Sequence, residues 1–372
     1  MNFIPVNVPL LNGNELKYLT ECIETGWISS EGPFISRFED EFSKYIGMAY
    51  GIAVSNGSAA LDVAIKALGI TKGDEVIMPS FTIISPAQSL VTVDAIPVLV
   101  DNDPLTWNMD VQAIEKKITS KTKAILIVHI YGLPVDLNPI LDLAKKYNLK
   151  IIEDAAEMHG QTYNGQKCGS FGDISIFSFY PNKHITTGEG GMILTNNTDL
   201  SERCKKLRNL CFEPDGPRFV HHEIGWNYRM TNLQAALGVA QLEQIDAFLI
   251  RKREIGKFYH ENLAFLESKG FQLPTVKTAY ADNIYWVFGM LAPSPLEKEK
   301  IVDALSKNKI ATRPFFWCMH EQPVFEKMGL FSGESYPVGE KMARNGFYLP
   351  SGLGITNEEL FRVVAVIKNV FK

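Results

Sequence analysis

Residues 150–157 have the sequence KIIEDAAE, in which an apolar run too short for a helix ends at two adjacent carboxylates. Similar runs recur on both sides, with helical spacing of apolar residues between them. This alternation is typical of a mostly parallel sheet covered by helices, because strands buried on both faces need apolar residues throughout. The pattern predicts strands at 75–78, 96–100, 124–128, 150–152, 174–179 and 192–195, and helices at 59–68, 84–91, 111–118 and 140–147.

The pattern changes after residue 247. Helical spacing predicts helices over 231–248 and 251–267, followed by a strand near 285–291, a helix near 297–308 and a last helix from Asn357. The change predicts two domains. The large α/β domain would comprise residues 1–247, with a mostly parallel mixed sheet flanked by helices, and the smaller α+β domain would comprise residues 248–372.

The composition is that of an ordinary globular protein, with 46% hydrophobic residues among 372 and a net charge of −5. Because no dense basic run is present, binding to a nucleic-acid backbone is not expected. No apolar run approaches the roughly 20 residues that cross a bilayer. We therefore expect a cytoplasmic protein with neither a nucleic-acid nor a membrane partner.

The five cysteines are scattered and form no C-x-x-C pair, which predicts reduced thiols. The densest group of possible metal ligands is His221, His222 and Glu223. Neighbouring residues in an extended chain point to opposite sides, so a solvated loop is the preferred interpretation of this group. No metal site is expected.

Polar residues directly after the predicted strands are the first candidates for a site, since ligands of such sheets bind beyond the carboxyl ends of the strands. The sequence SNGSAA at 55–60 leads into a helix whose free amides would suit a phosphate. Taken alone, Ser58 is better explained as a helix cap. Asp154 ends the run at 150–154 and could pair with a protonated ring nitrogen, with a turn or cap role as the alternative.

Ser178 lies near the end of the predicted strand at 174–179, and Lys183 follows that strand. A lysine held among apolar groups can lose its proton and act as nucleophile and then as base, although most lysines are solvated surface groups. The segment GWNYRMTN at 225–232 indicates only a polar loop before a capped helix. These residues by themselves predict an α/β protein with an anion site and leave the reaction open.

Taken together, the motifs resemble the DegT/DnrJ/EryC1/StrS family of sugar aminotransferases, which are pyridoxal-phosphate enzymes of fold type I. The resemblance runs nearly from end to end and implies the fold-type-I architecture for the two predicted domains. The matching segments are IPV at 4–6, GWISS at 26–30, SNGS at 55–58, GDEVI at 73–77, VHIYG at 128–132, IEDAAE at 152–157, FGD at 171–173, the Lys183 segment, NYRMTN at 227–232 and TRP at 312–314.

The resemblance implies a role for each matching residue around pyridoxal 5′-phosphate. Lys183 would form the Schiff base with the cofactor and shuttle the proton, and Asp154 would pair with the pyridine nitrogen. Glu157 would lie near the ring hydroxyl. The active protein would be a homodimer with composite sites, because one phosphate ligand would come from the second subunit. The implied phosphate ligands are Gly57, Ser58, Ser178 and, from the second subunit, Asn227.

For the substrates, the resemblance suggests Arg229 at the carboxylate of the amino donor, and Arg313 and His320 in the cleft for the sugar nucleotide. One position departs from the family pattern. Where many relatives have an aromatic residue that stacks on the cofactor ring, this chain has Ile83. Either Phe81 or an aliphatic face must then cover the ring.

The implied reaction is a ping-pong transamination from L-glutamate to C4 of a nucleotide-linked 4-keto-6-deoxy sugar. The closest resemblance is to family members that aminate GDP-4-keto-6-deoxymannose. UDP- or dTDP-linked sugars are the alternative, and a cofactor-binding regulator without turnover is a further one. A related dehydratase branch has histidine at the position of Lys183, so the lysine favours transamination. A nicotinamide enzyme is disfavoured because SNGS at 55–58 is not the three-glycine fingerprint.

Overall fold

The computed structural model describes residues 2–213 and 216–371. Its first nine strands are β1 (Tyr50–Val54), β2 (Glu75–Pro79), β3 (Ile96–Val100), β4 (Thr122–Val128), β5 (Lys150–Asp154), β6 (Thr162–Tyr163), β7 (Gln166–Lys167), β8 (Ile174–Ser178) and β9 (Gly191–Thr195). Strands β6 and β7 form a separate two-stranded hairpin. The other seven form the central sheet.

The central sheet has the strand order β1-β9-β8-β5-β4-β2-β3. Strand β9 is antiparallel to both of its neighbours, whereas the remaining neighbours pair in parallel. The predicted mostly parallel mixed sheet is therefore confirmed, and every predicted run before residue 200 coincides with a strand. Strand β1 is absent from the predictions because its sequence, YGIAV, begins with tyrosine and glycine, which leaves a very short apolar run.

Helices flank this sheet and precede it along the chain. They are α1 (Glu15–Thr25), α2 (Pro33–Ile46), α3 (Gly57–Ala67), α4 (Ser85–Thr92), α5 (Val111–Ile114), α6 (Leu137–Tyr147), α7 (Thr198–Arg208), α8 (Asn232–Leu242) and α9 (Ile245–Leu263). The predicted single helix over 231–248 is wrong, since the structure has a break between α8 and α9. At this break the Glu243 carboxylate accepts hydrogen bonds from Asn14 Nδ2 and Tyr18 Oη, which fix it to the start of the chain.

Both faces of the sheet are buried, which explains the continuous apolar runs. Along β4, Ile125 and Ile127 belong to one apolar cluster, and Leu126 belongs to the cluster on the opposite face. Helix α2 contributes to the first cluster through Phe38 and Phe42, which are fully buried. Because side chains alternate along a strand, every apolar residue of β4 contributes to one core or the other.

The C-terminal part of the chain forms a second, smaller unit of structure. Its elements are β10 (Phe288–Leu291), α10 (Pro295–Lys307), β11 (Arg313–Pro314), α11 (Pro323–Lys327), α12 (Pro337–Asn345), β12 (Gly346–Leu349) and α13 (Asn357–Val370). The three strands are antiparallel in the order β10-β12-β11. A third apolar cluster joins this sheet to α9, α10 and α13, and it also contains Ile4 from the start of the chain. The domain boundary at residue 247 stays a prediction.

Gly132 lets the chain before β10 approach the carboxyl end of β4. Its φ is +106°, and a Cβ there would lie 2.6 Å from Asn283 Oδ1 and 2.7 Å from the Trp286 backbone nitrogen. We expect Gly132→Ala to lower the free energy of unfolding by about 2–5 kcal/mol, because left-handed strain and overpacking add. Gly165→Ala is the matched control, since Gly165 is also left-handed but a Cβ there would meet nothing within 4 Å.

Urea unfolding of both variants would measure this difference. Gly165→Ala should cost only about 1–2 kcal/mol, the price of left-handed strain alone. Equal losses in the two variants would contradict the close approach at Gly132.

Candidate active site

A cavity of about 550 Å³ opens at the carboxyl ends of β4, β5 and β8, where Val128, Asp154 and Ser178 line it. This is the edge at which parallel strands present ligand-binding residues. Of the predicted site residues, the structure brings together at this cavity Gly57, Ser58, Asp154, Glu157, Ser178 and Lys183. The ends of β4, β5 and β8 and the N-terminus of α3 therefore line one cavity.

Lys183 lies in a loop that is closed on itself after β8. The Phe179 amide donates to Gly190 O, and the Thr187 amide donates to Phe179 O, so Phe179 holds both sides of the loop. The lysine side chain is only 11% exposed, and its Nζ lies 3.9 Å from Glu157 Oε1. Burial lowers the pKa of Lys183, while the nearby carboxylates of Glu157 and Asp154 oppose this shift. Burial of this kind makes it easier for an amine to lose its proton and act as a nucleophile or base.

Asp154 and its neighbour Glu153 occupy opposite faces of β5. Glu153 points into the core, where it accepts hydrogen bonds from His129 Nε2 and the Gly169 and Phe171 amides. Burial would raise the pKa of Glu153, but these bonds outweigh burial and lower it. Glu153 is thus a structural anion, and the alternation of a strand leaves Asp154 to face the cavity.

The Asp154 carboxylate has little compensation within the chain. Its Oδ1 accepts one hydrogen bond, of 3.1 Å, from the Ala156 amide. Burial raises the pKa of Asp154 to about 6, although that bond and Lys183 lower it. A buried carboxylate with so few partners suits a cationic group bound in the cavity.

Glu157 completes the buried acid–base group. Its Oε2 accepts a 2.7 Å hydrogen bond from the Tyr131 amide, at the turn after β4. Burial raises the pKa of Glu157, and the neighbouring Lys183 opposes the shift. Lys183 and Glu157 therefore influence each other's charge at the side of the cavity, across 3.9 Å.

The N-terminus of α3 forms an anion site at the other end of the cavity. Asn56 caps the helix by accepting from the Ala59 amide at 2.8 Å, so the interpretation of Ser58 as the cap is wrong. Among the described residues, none accepts a hydrogen bond from the amides of Gly57 or Ser58. A Cβ at Gly57 would lie 2.8 Å from Ser178 Cβ, so only glycine lets the serine approach this closely. Open amides at a helix N-terminus suit a phosphate, and the Ser58 hydroxyl, which is hydrogen-bonded to Ser85 Oγ at 2.7 Å, lies at the same place.

The groups present fit pyridoxal phosphate. The cavity offers open amides at a helix N-terminus, a buried lysine and a buried carboxylate, Asp154, that forms no ion pair with any described residue. These would hold the phosphate, the reactive carbon and the ring nitrogen. Ile83 lines the cavity, whereas Phe81 is fully buried and packs against Tyr131 and Phe315. Of the two ring covers considered from the sequence, the structure places the aliphatic one at the cavity.

Asn227 and Arg229 lie outside this cavity, on a loop that packs on the body of the same chain. The Ser55 amide donates to Tyr228 O, and Lys66 Nζ donates to Ile224 O. Arg229 donates to Asn227 Oδ1 through its Nη2, at 2.6 Å. The assignments of Asn227 to a second subunit's phosphate and of Arg229 to the donor stay predictions.

Arg313 and His320 occupy two further cavities. Arg313 lines a neighbouring cavity of about 260 Å³, which shares Tyr180, Asn182 and Trp286 with the Lys183 cavity. His320 lies in a separate cavity of about 310 Å³ and is bonded to Ser80 and Glu340. The substrate roles of both stay predictions, and the geometry favours Arg313.

The possible metal ligands at 221–223 have other contacts within the chain. Glu223 forms ion pairs with Arg203 and Lys66, and His221 Nδ1 is bonded to Leu210 O. These contacts engage two of the three possible metal ligands in that segment. No helix in the described part of the chain is both long enough and apolar enough to span a membrane.

Comparisons with known proteins agree with this geometry. The profile of the DegT/DnrJ/EryC1/StrS aminotransferase family matches residues 9–368. Two GDP-perosamine synthases, from Escherichia coli O157:H7 and from Caulobacter vibrioides, are each 42% identical to this chain. The alignments cover 100% and 99% of this chain, and 99% and 98% of the relatives.

The fold is also similar to that of a solved aminotransferase. The X-ray structure of an aminotransferase from Psychrobacter cryohalolentis superposes with a TM-score of 0.91 at 30% identity, covering 100% of this chain and 99% of the other. The fold and the sequence profile therefore agree over nearly the whole length. The chain belongs to the DegT/DnrJ/EryC1/StrS aminotransferase family.

Proposed function

We propose that the protein is a pyridoxal-phosphate-dependent aminotransferase that transfers the amino group of L-glutamate to C4 of GDP-4-keto-6-deoxy-D-mannose, giving GDP-perosamine. The observation that carries the proposal is the buried Lys183 amine, which shares a cavity with Asp154, Glu157 and an open helix N-terminus. The GDP-linked acceptor is supported by relatives named GDP-perosamine synthase that align along the whole chain.

Each side chain of the cavity has a physical task in this reaction. Pyridoxal phosphate, when bound, supplies an electron sink for the bonding pair at the substrate carbon. Asp154 would hold the ring nitrogen in its protonated form, because its buried carboxylate gains a cationic partner. Lys183 Nζ would remove the proton from Cα of the donor in the first half-reaction and deliver a proton to C4 of the sugar in the second, with Glu157 3.9 Å away as the nearest carboxylate.

The proposed enzyme works as a homodimer in which Asn227 reaches the phosphate in the partner subunit. Exposed apolar side chains a few positions before Asn227 support a contact with a second subunit at this surface. Phe219 is 73% exposed and Ile224 is 81% exposed. Large apolar side chains clustered at a surface are typical of interaction sites.

The substrate proposal is tested by incubating the purified protein with glutamate and one of three 4-keto-6-deoxy sugars, linked to GDP, UDP or dTDP. Mass spectrometry would detect the amino-sugar product. We expect kcat/KM for the GDP-linked sugar to exceed the others by at least about tenfold, or about 1.4 kcal/mol. Preference for a UDP- or dTDP-linked sugar would overturn the GDP assignment. Bound cofactor without any response to glutamate would instead indicate a regulator without turnover.

A further inference from the structure

The indole ring of Trp286 lies directly against the Lys183 amine. Lys183 Nζ is 4.1 Å from the ring centroid, close to the 3.9 Å that separates it from Glu157 Oε1. Trp286 is 3% exposed and comes from the segment just before β10, about a hundred residues after the lysine. It lines both the Lys183 cavity and the neighbouring Arg313 cavity, so its ring forms part of the wall between them.

Hydrogen bonds and ring packing fix the position of this indole. Its Nε1 donates to Asn182 O at 2.8 Å, next to Lys183 in the chain. The buried Lys252 side chain donates from its Nζ to Trp286 O at 2.8 Å, which holds the backbone. The ring also stacks on Tyr131, with centroids 5.7 Å apart and planes at 24°. An aromatic face held in this way offers a fixed surface to a cation.

The amine is otherwise surrounded by groups that influence its charge in opposing directions. Glu157 and Asp154 favour the ammonium form, while burial disfavours it. The buried imidazoles of His159 and His184 also face this region, and His129 and Glu189 line the cavity. An indole face favours the ammonium form without using a carboxylate.

We propose that Trp286 is a positioning residue that holds the Lys183 amine, once it has taken up a proton, against its indole face while the amine is not joined to the cofactor. The inference rests on the proposed function, in which Lys183 must be released and then carry a proton. The indole face keeps the long side chain in place during that interval. Asp154 and Glu157 then remain available for the cofactor and the substrate.

The inference is tested on the cofactor-free protein, where the Lys183 amine is free. Acetic anhydride acylates only neutral amines, so the extent of Lys183 labelling at each pH, measured by peptide mass spectrometry, gives the pKa of the amine. Trp286→Leu should lower the labelling midpoint by about 0.5–1 pH unit, equivalent to a three- to tenfold larger neutral fraction below the midpoint. Trp286→Phe retains a weaker aromatic face and should show a smaller shift in the same direction.

Trp107→Phe is the matched control, since Trp107 packs against Tyr131 and Phe315 in the same aromatic cluster without lining the cavity. Its Lys183 midpoint should equal that of the unmodified chain. The inference would be overturned by an unchanged midpoint in Trp286→Leu, or by a raised midpoint, which would show that the ring only excludes water. A glutamate-induced absorbance change in the cofactor-loaded protein tests the aminotransferase function separately.

Discussion

Replacing Lys183 with alanine is expected to reduce turnover by at least about a thousandfold. The substitution removes the only buried amine in the Lys183 cavity among the described residues, and proton transfer by a positioned base contributes roughly 10²–10⁴ in rate. The loss of covalent attachment to the cofactor adds to this effect. The measurement is kcat with glutamate and the GDP-linked keto sugar. Borohydride treatment of the unmodified protein should also fix the cofactor on the peptide that contains residue 183.

Lys146→Ala provides the control for this experiment, because Lys146 is exposed and pairs only with Glu115 and the neighbouring Tyr147 ring at the surface. It should retain full activity. Full turnover in Lys183→Ala, or cofactor fixed on another lysine, would show that the reaction depends on a different residue.

Replacing Asp154 with asparagine should have the second-largest effect, a loss of about a hundred- to a thousandfold in the rate of the glutamate half-reaction. Asparagine keeps the shape of the side chain and can still accept from the Ala156 amide, so mainly the charge is removed. A buried cation that loses its charged partner costs about 3–5 kcal/mol, which would act against the protonated ring nitrogen. Stopped-flow absorbance would follow the half-reaction. An unchanged rate would contradict the proposed pairing.

Asp154→Asn, which should slow the half-reaction, should stabilise the cofactor-free protein against unfolding above pH 6. Because burial raises the pKa of Asp154 to about 6 from an ordinary 3.8, its contribution to stability declines as pH rises from about 4 to about 6. Above pH 6 the native protein carries a penalty of about 1–3 kcal/mol, which Asp154→Asn removes. Thermal unfolding at pH 8 should therefore show a stabilised variant, and at pH 4 the difference should vanish.

The neighbouring carboxylate, Glu153, supplies a control, because its substitution should lower the free energy of unfolding at pH 8. The pKa of Glu153 is lowered because hydrogen bonds from His129 and backbone amides outweigh burial, so its contribution is present at neutral pH and is lost on acidification. Glu153→Gln should lower the free energy of unfolding at pH 8 by at least about 2 kcal/mol. Equal effects of the two substitutions would contradict their assignment to different faces of β5.

Much of the fold could be predicted because the central strands are buried on both faces. Residues such as Ile125 and Leu126 serve different cores, so the run as a whole is apolar and easily recognised. The break after Leu242 could not be predicted, since helical spacing continues across it. The contacts made by Glu243 at that break come from Asn14 and Tyr18, more than 200 residues earlier.

Some residues of the candidate site could likewise be predicted from the sequence, and others could not. Asp154, Ser178 and Lys183 could be identified as candidates because they lie at or just after the carboxyl ends of strands, where a parallel sheet presents its ligand-binding residues. Trp286 could not, since its contact with Lys183 depends on how the later part of the chain packs on the sheet. No local pattern distinguishes such a tryptophan from an ordinary core residue. His320, which the family resemblance suggested for the sugar-nucleotide cleft, lines a separate cavity, and its substrate role stays a prediction.

The antiparallel strand β9 also governs the order in which the molecule can be assembled during translation. Strand β1 has β9 as its neighbour in the sheet, with Tyr50 opposite Thr195. At about 5–20 residues per second, the ribosome needs roughly 7–30 s to synthesise the chain between these two positions. Until β9 has been synthesised, β1 cannot form its strand pairing, and the glycine–serine turn that follows β1 is not yet held against the sheet. We therefore expect the proposed phosphate site at Gly57 and Ser58, although encoded early, to be among the later parts of the large sheet to form.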